Sequence, residues 1–216
     1  MQIEGGYFMS SGVLYRMAKR AYEKTKAAPS DTTRGQDDAL TALLFAAATL
    51  EAFIAELAHN AEAGTQLCPV LSPAASLAGV LDEAESSRGS VRLKYLMAKA
   101  ILSGRPYEKG HAPYQDFDLL FTIRDAILHH KPEKITQDPH KIVAALAARG
   151  LCEREEPHVK SSWLHQVTTR AVARWACNVV RDMVASLRQH FPKDSEKTVN
   201  PFMLMAFPSN DFGGVD

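Results

Sequence analysis

The chain has 216 residues, 46% hydrophobic and 23% charged, with a formal net charge of zero at pH 7. That is enough chain to bury a sizeable core, and the composition is globular. Charge balance excludes a strongly basic, non-specific nucleic-acid binder but leaves room for a small local site.

Along the chain the apolar spacing is mostly helical, and alternating β-branched runs are scarce. The opening MQIEGGYFMSSG carries no basic-then-apolar leader pattern, and no apolar run is read as long enough to span a membrane. A first helix is expected over roughly 7–27, using Tyr7, Phe8, Val13, Leu14, Met17, Ala18 and Ala21, before a turn at Pro29. A long helix follows from about Thr33 to Ala63, ended by Gly64. Pro69 and Pro73 interrupt the next stretch, within which 74–86 fits a short helix. Ser90 caps a helix to about Leu102, with Gly104 just past its end. The loop GRPYEKGHAP leads into a helix from about Tyr114 to His130, closed by Pro132. Asp138-Pro139 opens a helix over 139–149, and Gly150 to Lys160 is a loop. Ser161 or Ser162 starts a last long helix to about His190, stopped by Pro192. The tail 193–216 is expected to be loosely ordered, or to lie on another surface through Phe202, Met203 and Phe207. The fold class is all-α, a bundle around two long helices with an extra N-terminal helix and an irregular tail. One helical domain is expected over residues 1–192.

Cys68, Cys152 and Cys177 have no paired spacing of the kind that binds metal. They fit a reducing compartment and argue against a disulfide framework or a zinc site. The expected setting is the cytoplasm, with no cofactor and no metal.

Two charged residues stand out when side chains are placed at about 100° per residue around an ideal helix. From Phe117, the residues Leu119, Leu120, Phe121, Ile123, Ala126, Ile127 and Leu128 span an apolar arc of roughly 220°. Asp118, Thr122, Asp125 and His129 form the remaining polar stripe. Arg124 lies inside the apolar arc, between Leu120 and Leu128, and therefore needs a partner. On the upstream helix, Leu40, Leu43, Leu44, Ala47, Leu50, Ile54, Leu57 and Ala58 make an apolar stripe with Glu51 in its middle. One misplaced acid and one misplaced arginine suggest a pair. Asp125 and His129 are four residues apart and share a helix face, where a carboxylate would orient the imidazole. The bland alternatives are an interhelix salt bridge and a histidine that satisfies the helix dipole. So wide an arc implies either a central helix or one covered by a partner chain.

The string R-D-A-I-L-H, Arg124 to His129, resembles the R-x-x-x-x-H motif of HEPN domains. The upstream helix with an acid inside its apolar face is similar to the first core helix of many HEPN proteins. The order of helices over about 34–191 is similar as well. The resemblance implies an all-α domain that dimerises with its motif helices facing each other. It implies a metal-independent ribonuclease of toxin–antitoxin or phage-defence type, with RNA or nucleotide as ligand and a possible antitoxin partner. Members without catalysis bind nucleotides, RNA or a protein as regulatory modules. Carried onto this sequence, His129 is the general base or acid, with His130 as second choice. Arg124 stabilises phosphate charge, Asp125 orients, and Glu51 positions Arg124. On one ideal helix Arg124 and His129 are about 140° apart, so two chains would have to supply one cleft.

Overall fold

The structure, a computed structural model, describes residues 10–27, 33–67, 72–129, 140–152, 162–190 and 212–216. Among the described residues there are eight helices and no strand: α1 (Ser11–Ala27), α2 (Thr33–Leu67), α3 (Ser72–Ser86), α4 (Val91–Ser103), α5 (Tyr114–Leu128), α6 (Lys141–Ala147), α7 (Trp163–Val167) and α8 (Arg170–Arg188). The all-α bundle is therefore observed.

Helix α2 is the hub, with α1, α3, α4, α5 and α8 all packed on it. Its buried face combines Leu43, Leu50, Ile54 and Leu57 with Ala42, Ala46, Ala47 and Phe53. The alanines let neighbouring helices approach closely on more than one side. Leu40 and Leu44, expected in its stripe, are only half-buried. Helix α8 supplies the second spine through Val172, Ala176, Val180, Met183, Val184 and Leu187. Burying each such Val, Leu or Met contributes about 1.5–3 kcal/mol. The segment Gly35–His59 is, by length and composition, long and apolar enough to cross a membrane, contrary to the expectation that no run is. Its most apolar window is half buried by the other helices, as the hub of an α-bundle must be.

Local signals set several boundaries as expected. Ser90 accepts a hydrogen bond from the Leu93 N–H (3.2 Å), and Gly104 ends α4 at φ 77°, a left-handed conformation that favours glycine. Other boundaries differ. Helix α1 begins at Ser11, where the Glu56 carboxylate of α2 accepts the Ser11 backbone N–H at 2.8 Å; Tyr7 and Phe8 lie outside the described residues. Helix α2 runs through Gly64 to Leu67, since one glycine costs a helix only about 1 kcal/mol. Helix α5 stops at Leu128 with His129 as its cap, and His130 and Pro132 lie outside the described residues. The cap of α6 is His140, whose Nδ1 accepts the Ile142 N–H (3.3 Å); Asp138 and Pro139 also lie outside. The last long helix is two helices. Thr168 donates its hydroxyl to the Leu164 carbonyl (2.9 Å), and Thr169 caps α8 by accepting the Val172 N–H (3.3 Å). Adjacent threonines offer the backbone an alternative to the helix ladder, which a continuing apolar period conceals.

Helix α5 enters the core through an aromatic ladder. Tyr107 stacks on Tyr114 (5.4 Å), and Phe117 meets Tyr114 (5.4 Å), Tyr95 of α4 (4.7 Å) and Phe121 (4.8 Å). These rings and the contacts of α5 with α2, α6 and α8 fix where its last turn emerges. Of the tail, residues 212–216 return to the body and bury Phe212; Phe202, Met203 and Phe207 lie outside the described residues.

Candidate functional site

The last two turns of α5 lie beside the middle of α2 and the start of α4. Arg124 donates from Nη2 to Glu51 Oε1 (2.7 Å) and from Nη1 to Asp125 Oδ1 (2.8 Å). The structure thus brings Glu51 and Arg124 together, as their intrusion on apolar faces suggests. Their side chains remain 33% and 25% exposed, so the pair lies at the rim of the core rather than within it.

The network extends through a residue that the motif does not contain. Arg92 of α4 donates from Nη1 to Asp125 Oδ2 (3.3 Å) and from Nε to Asp118 Oδ1 (2.5 Å). Its Nη2 reaches Thr122 Oγ1 (3.1 Å) and the Asp118 carbonyl (3.2 Å). Both guanidinium carbons also lie near the Phe121 ring, Arg92 at 5.8 Å and Arg124 at 6.0 Å from its centre. The order Glu51–Arg124–Asp125–Arg92–Asp118 alternates in sign across three helices. Three carboxylates and two guanidiniums leave one net negative charge. Burial pushes the Asp125 carboxyl up, but the bonds and charges of Arg124 and Arg92 outweigh it and hold the group below the usual carboxylate range. Burial likewise opposes the charge on Arg92, and Asp118 and Asp125 more than restore it.

One signal could have found Arg92. Asp118, Thr122 and Asp125 form a polar stripe on a helix otherwise apolar, and two acids in one stripe call for a cation. Which cation answers depends on how α4 docks, so residue spacing does not reveal it.

His129 stands apart. Its backbone N–H donates to the Asp125 carbonyl (2.9 Å), and its side chain is exposed. Both Asp125 oxygens go to guanidiniums, whose charged, planar donors suit a carboxylate. Among the described residues no hydrogen bond joins the His129 ring to Asp125 or to Arg124. The other described histidines of this part of the sequence, His111 and His140, are also dispersed. His111 is exposed beside Glu108 (3.2 Å), and His140 caps α6 and stacks on Trp163 (4.8 Å). Among the described residues no group of three or more His, Cys, Asp or Glu is placed to hold a metal ion.

Around the network the surface turns apolar. Ala126 and Ile127 are half-buried, and Leu128 is 54% exposed. Leu93, next to Arg92 on α4, is 43% exposed. The wide arc of α5 therefore has two fates: its first part is covered by α2, α4, α6 and α8, while in its last turn Ala126 and Ile127 pack half-buried on the core and, among the described residues, Leu128 is left exposed. Fold and site together define an all-α bundle protein with an arginine–carboxylate network beside a helix end that exposes Leu128 and His129. Comparison with protein-family models, curated proteins and solved structures gave no match.

Proposed function

We propose that this chain is a HEPN-like, metal-independent endoribonuclease that works in the cytoplasm as a homodimer, in a toxin–antitoxin or phage-defence setting. The observation that supports it is the end of α5. There a guanidinium is held by Glu51 and Asp125 within two turns of a solvent-facing histidine, and Leu93 and Leu128 stand exposed nearby. Two copies meeting on this apolar end cover those leucines and bring Arg124 of one copy towards His129 of the other. His129, or His130, takes the proton of a ribose 2′-hydroxyl as its oxygen attacks phosphorus. Arg124 stabilises the charge gathering on the phosphate oxygens, and the departing 5′-oxygen takes a proton from a second histidine. The products are a 2′,3′-cyclic phosphate and a 5′-hydroxyl. Incubation of the purified chain with RNA in EDTA tests this. Cleavage should persist with the chelator and fall by about 100-fold or more in His129→Ala and Arg124→Ala. Unchanged cleavage in both variants removes the reading.

One observation favours a second reading. Arg124 already faces two carboxylates, and the network carries net negative charge, which opposes an incoming phosphate. On this reading the chain is a non-catalytic regulatory module of the same architecture that binds nucleotide, RNA or a protein. It expects no cyclic-phosphate product from a chain that remains folded and dimeric.

A further inference from the structure

On the side of the bundle formed by α1, α2 and α8, residues 212–216 lie in a groove. Phe212 is 7% exposed, stacked on Tyr15 of α1 (5.6 Å between centres, 14° between planes) and edge-on to Phe53 of α2 (5.7 Å, 75°). Val215 packs half-buried on the core, and the polar contacts are made to the backbone of the segment. The Tyr15 hydroxyl is shared between the Gly213 and Cys177 carbonyls, each at 2.9 Å. The Asn178 side chain of α8 clamps Val215 from both sides, accepting its N–H at 3.0 Å and donating to its carbonyl at 3.2 Å. Tyr22 of α1 donates to the Asp216 carbonyl. Gly213, Gly214 and Asp216 are exposed.

We propose that this groove is a peptide-binding site and that Phe212–Asp216 is its detachable ligand, carried on the same chain.

Three features set the segment apart from an ordinary piece of core. One ring, Phe212, is its buried anchor, Val215 packs half-buried on the core, and the polar contacts read main chain, as a groove does when it binds an extended peptide. Its departure leaves the buried Tyr15 hydroxyl the Cys177 carbonyl and lets half-buried Asn178 turn to water, while the Tyr22 hydroxyl gives up its bond to Asp216. A cleft of about 220 Å³ also lies on the α8 side of Phe212, lined by Arg181, Val184, Ala185 and Arg188. The chemistry it accepts is specific. The slot between Tyr15 and Phe53 takes an aromatic ring. Two positions later glycine is favoured, because a Cβ on Gly214 would come within 2.5 Å of Arg181 Nη1 and 2.8 Å of Asn178 Oδ1, so that both side chains would have to shift. The next residue must present a free N–H to Asn178, which excludes proline.

The test uses full-length protein and a fluorescein-labelled peptide of sequence Phe-Gly-Gly-Val-Asp. The tethered segment competes at an effective concentration near the millimolar range, so the unaltered chain should bind the peptide poorly. Phe212→Ala should bind it at least about tenfold more tightly, and adding Asn178→Ala should reverse that gain. Equal binding to the unaltered and Phe212→Ala chains, or none to a folded Phe212→Ala chain, overturns the proposal. Hydrogen exchange on the unaltered chain tests it independently. The Val215 amide should exchange by local opening, at least about 100-fold faster than the Val180 amide in α8. Equal protection means that the segment is integral core and overturns the proposal whatever the variant does. A dimer of the unaltered chain that dissociates on Phe212→Ala would overturn the same-chain arrangement, because the occupant would then be a second copy's segment.

Discussion

Residues 114–123 of α5 and the turn that follows lie on one continuous helix, yet different forces hold them. The earlier part is an aromatic wall: Tyr114, Phe117, Phe121 and Ile123 are buried against Tyr95 and Tyr107 and the long helices. The later part is held by guanidinium–carboxylate bonds at the rim and ends in exposed Leu128 and His129. The contrast teaches that one part of a helix can anchor it while the other stays free for partners. Burial of rings supplies stability that tolerates little change, whereas rim ion pairs contribute little stability but fix side-chain direction.

The contrast can be broken most sharply at Phe117. Phe117→Ala removes a fully buried ring and should destabilise the fold by about 3–5 kcal/mol in urea titration. A loss under about 1 kcal/mol would mean that the wall is not what anchors α5. Arg124→Ala comes next. With a quarter of its side chain exposed, its loss should cost only about 1 kcal/mol, and on the proposed ribonuclease reading RNA cleavage should fall far more steeply. A stability loss as large as that of Phe117→Ala would make the pair a core salt bridge. Leu128→Asp should leave the thermal midpoint within a few degrees, yet shift sedimentation from dimer to monomer if the open turn is the interface. His129→Ala should change stability by at most about 0.5 kcal/mol.

The smallest expected effect is a pH dependence. Asp125 is held below its ordinary value of 3.8 in the folded chain. Its contribution is therefore present above that value and is lost as pH falls through the lower, folded one. Asp125→Asn should flatten the stability curve below about pH 4 and spare its shape near neutrality. An acid limb as steep as that of the unaltered chain would show that Arg92 and Arg124 do not stabilise the carboxylate.

Much of this is legible without coordinates. The helices α2, α4, α5 and α8 follow from apolar period, and Ser90 and Gly104 act as caps because capping involves only near neighbours. Glu51 and Arg124 are marked as partners because each stands on an apolar face. Other features are not legible. Asp125 shares a face with His129, but it bonds two guanidiniums, one of them from another helix. The break at Thr168 and Thr169 is hidden because the apolar pattern runs on across it. Phe212 reads as part of an irregular tail, and nothing nearby in sequence announces the slot between Tyr15 and Phe53.

The sequence alone determined the all-α class, most helix positions and the two charged residues that do not belong on their apolar faces. These depend on interactions spanning one or two turns, which every stretch of chain carries with it. Only the tertiary structure decided that Arg92 completes the network, that His129 is left facing solvent, and that Phe212 finds a place between α1 and α2. Each of those depends on which surfaces burial brings side by side, and that is settled by the packing of the whole bundle.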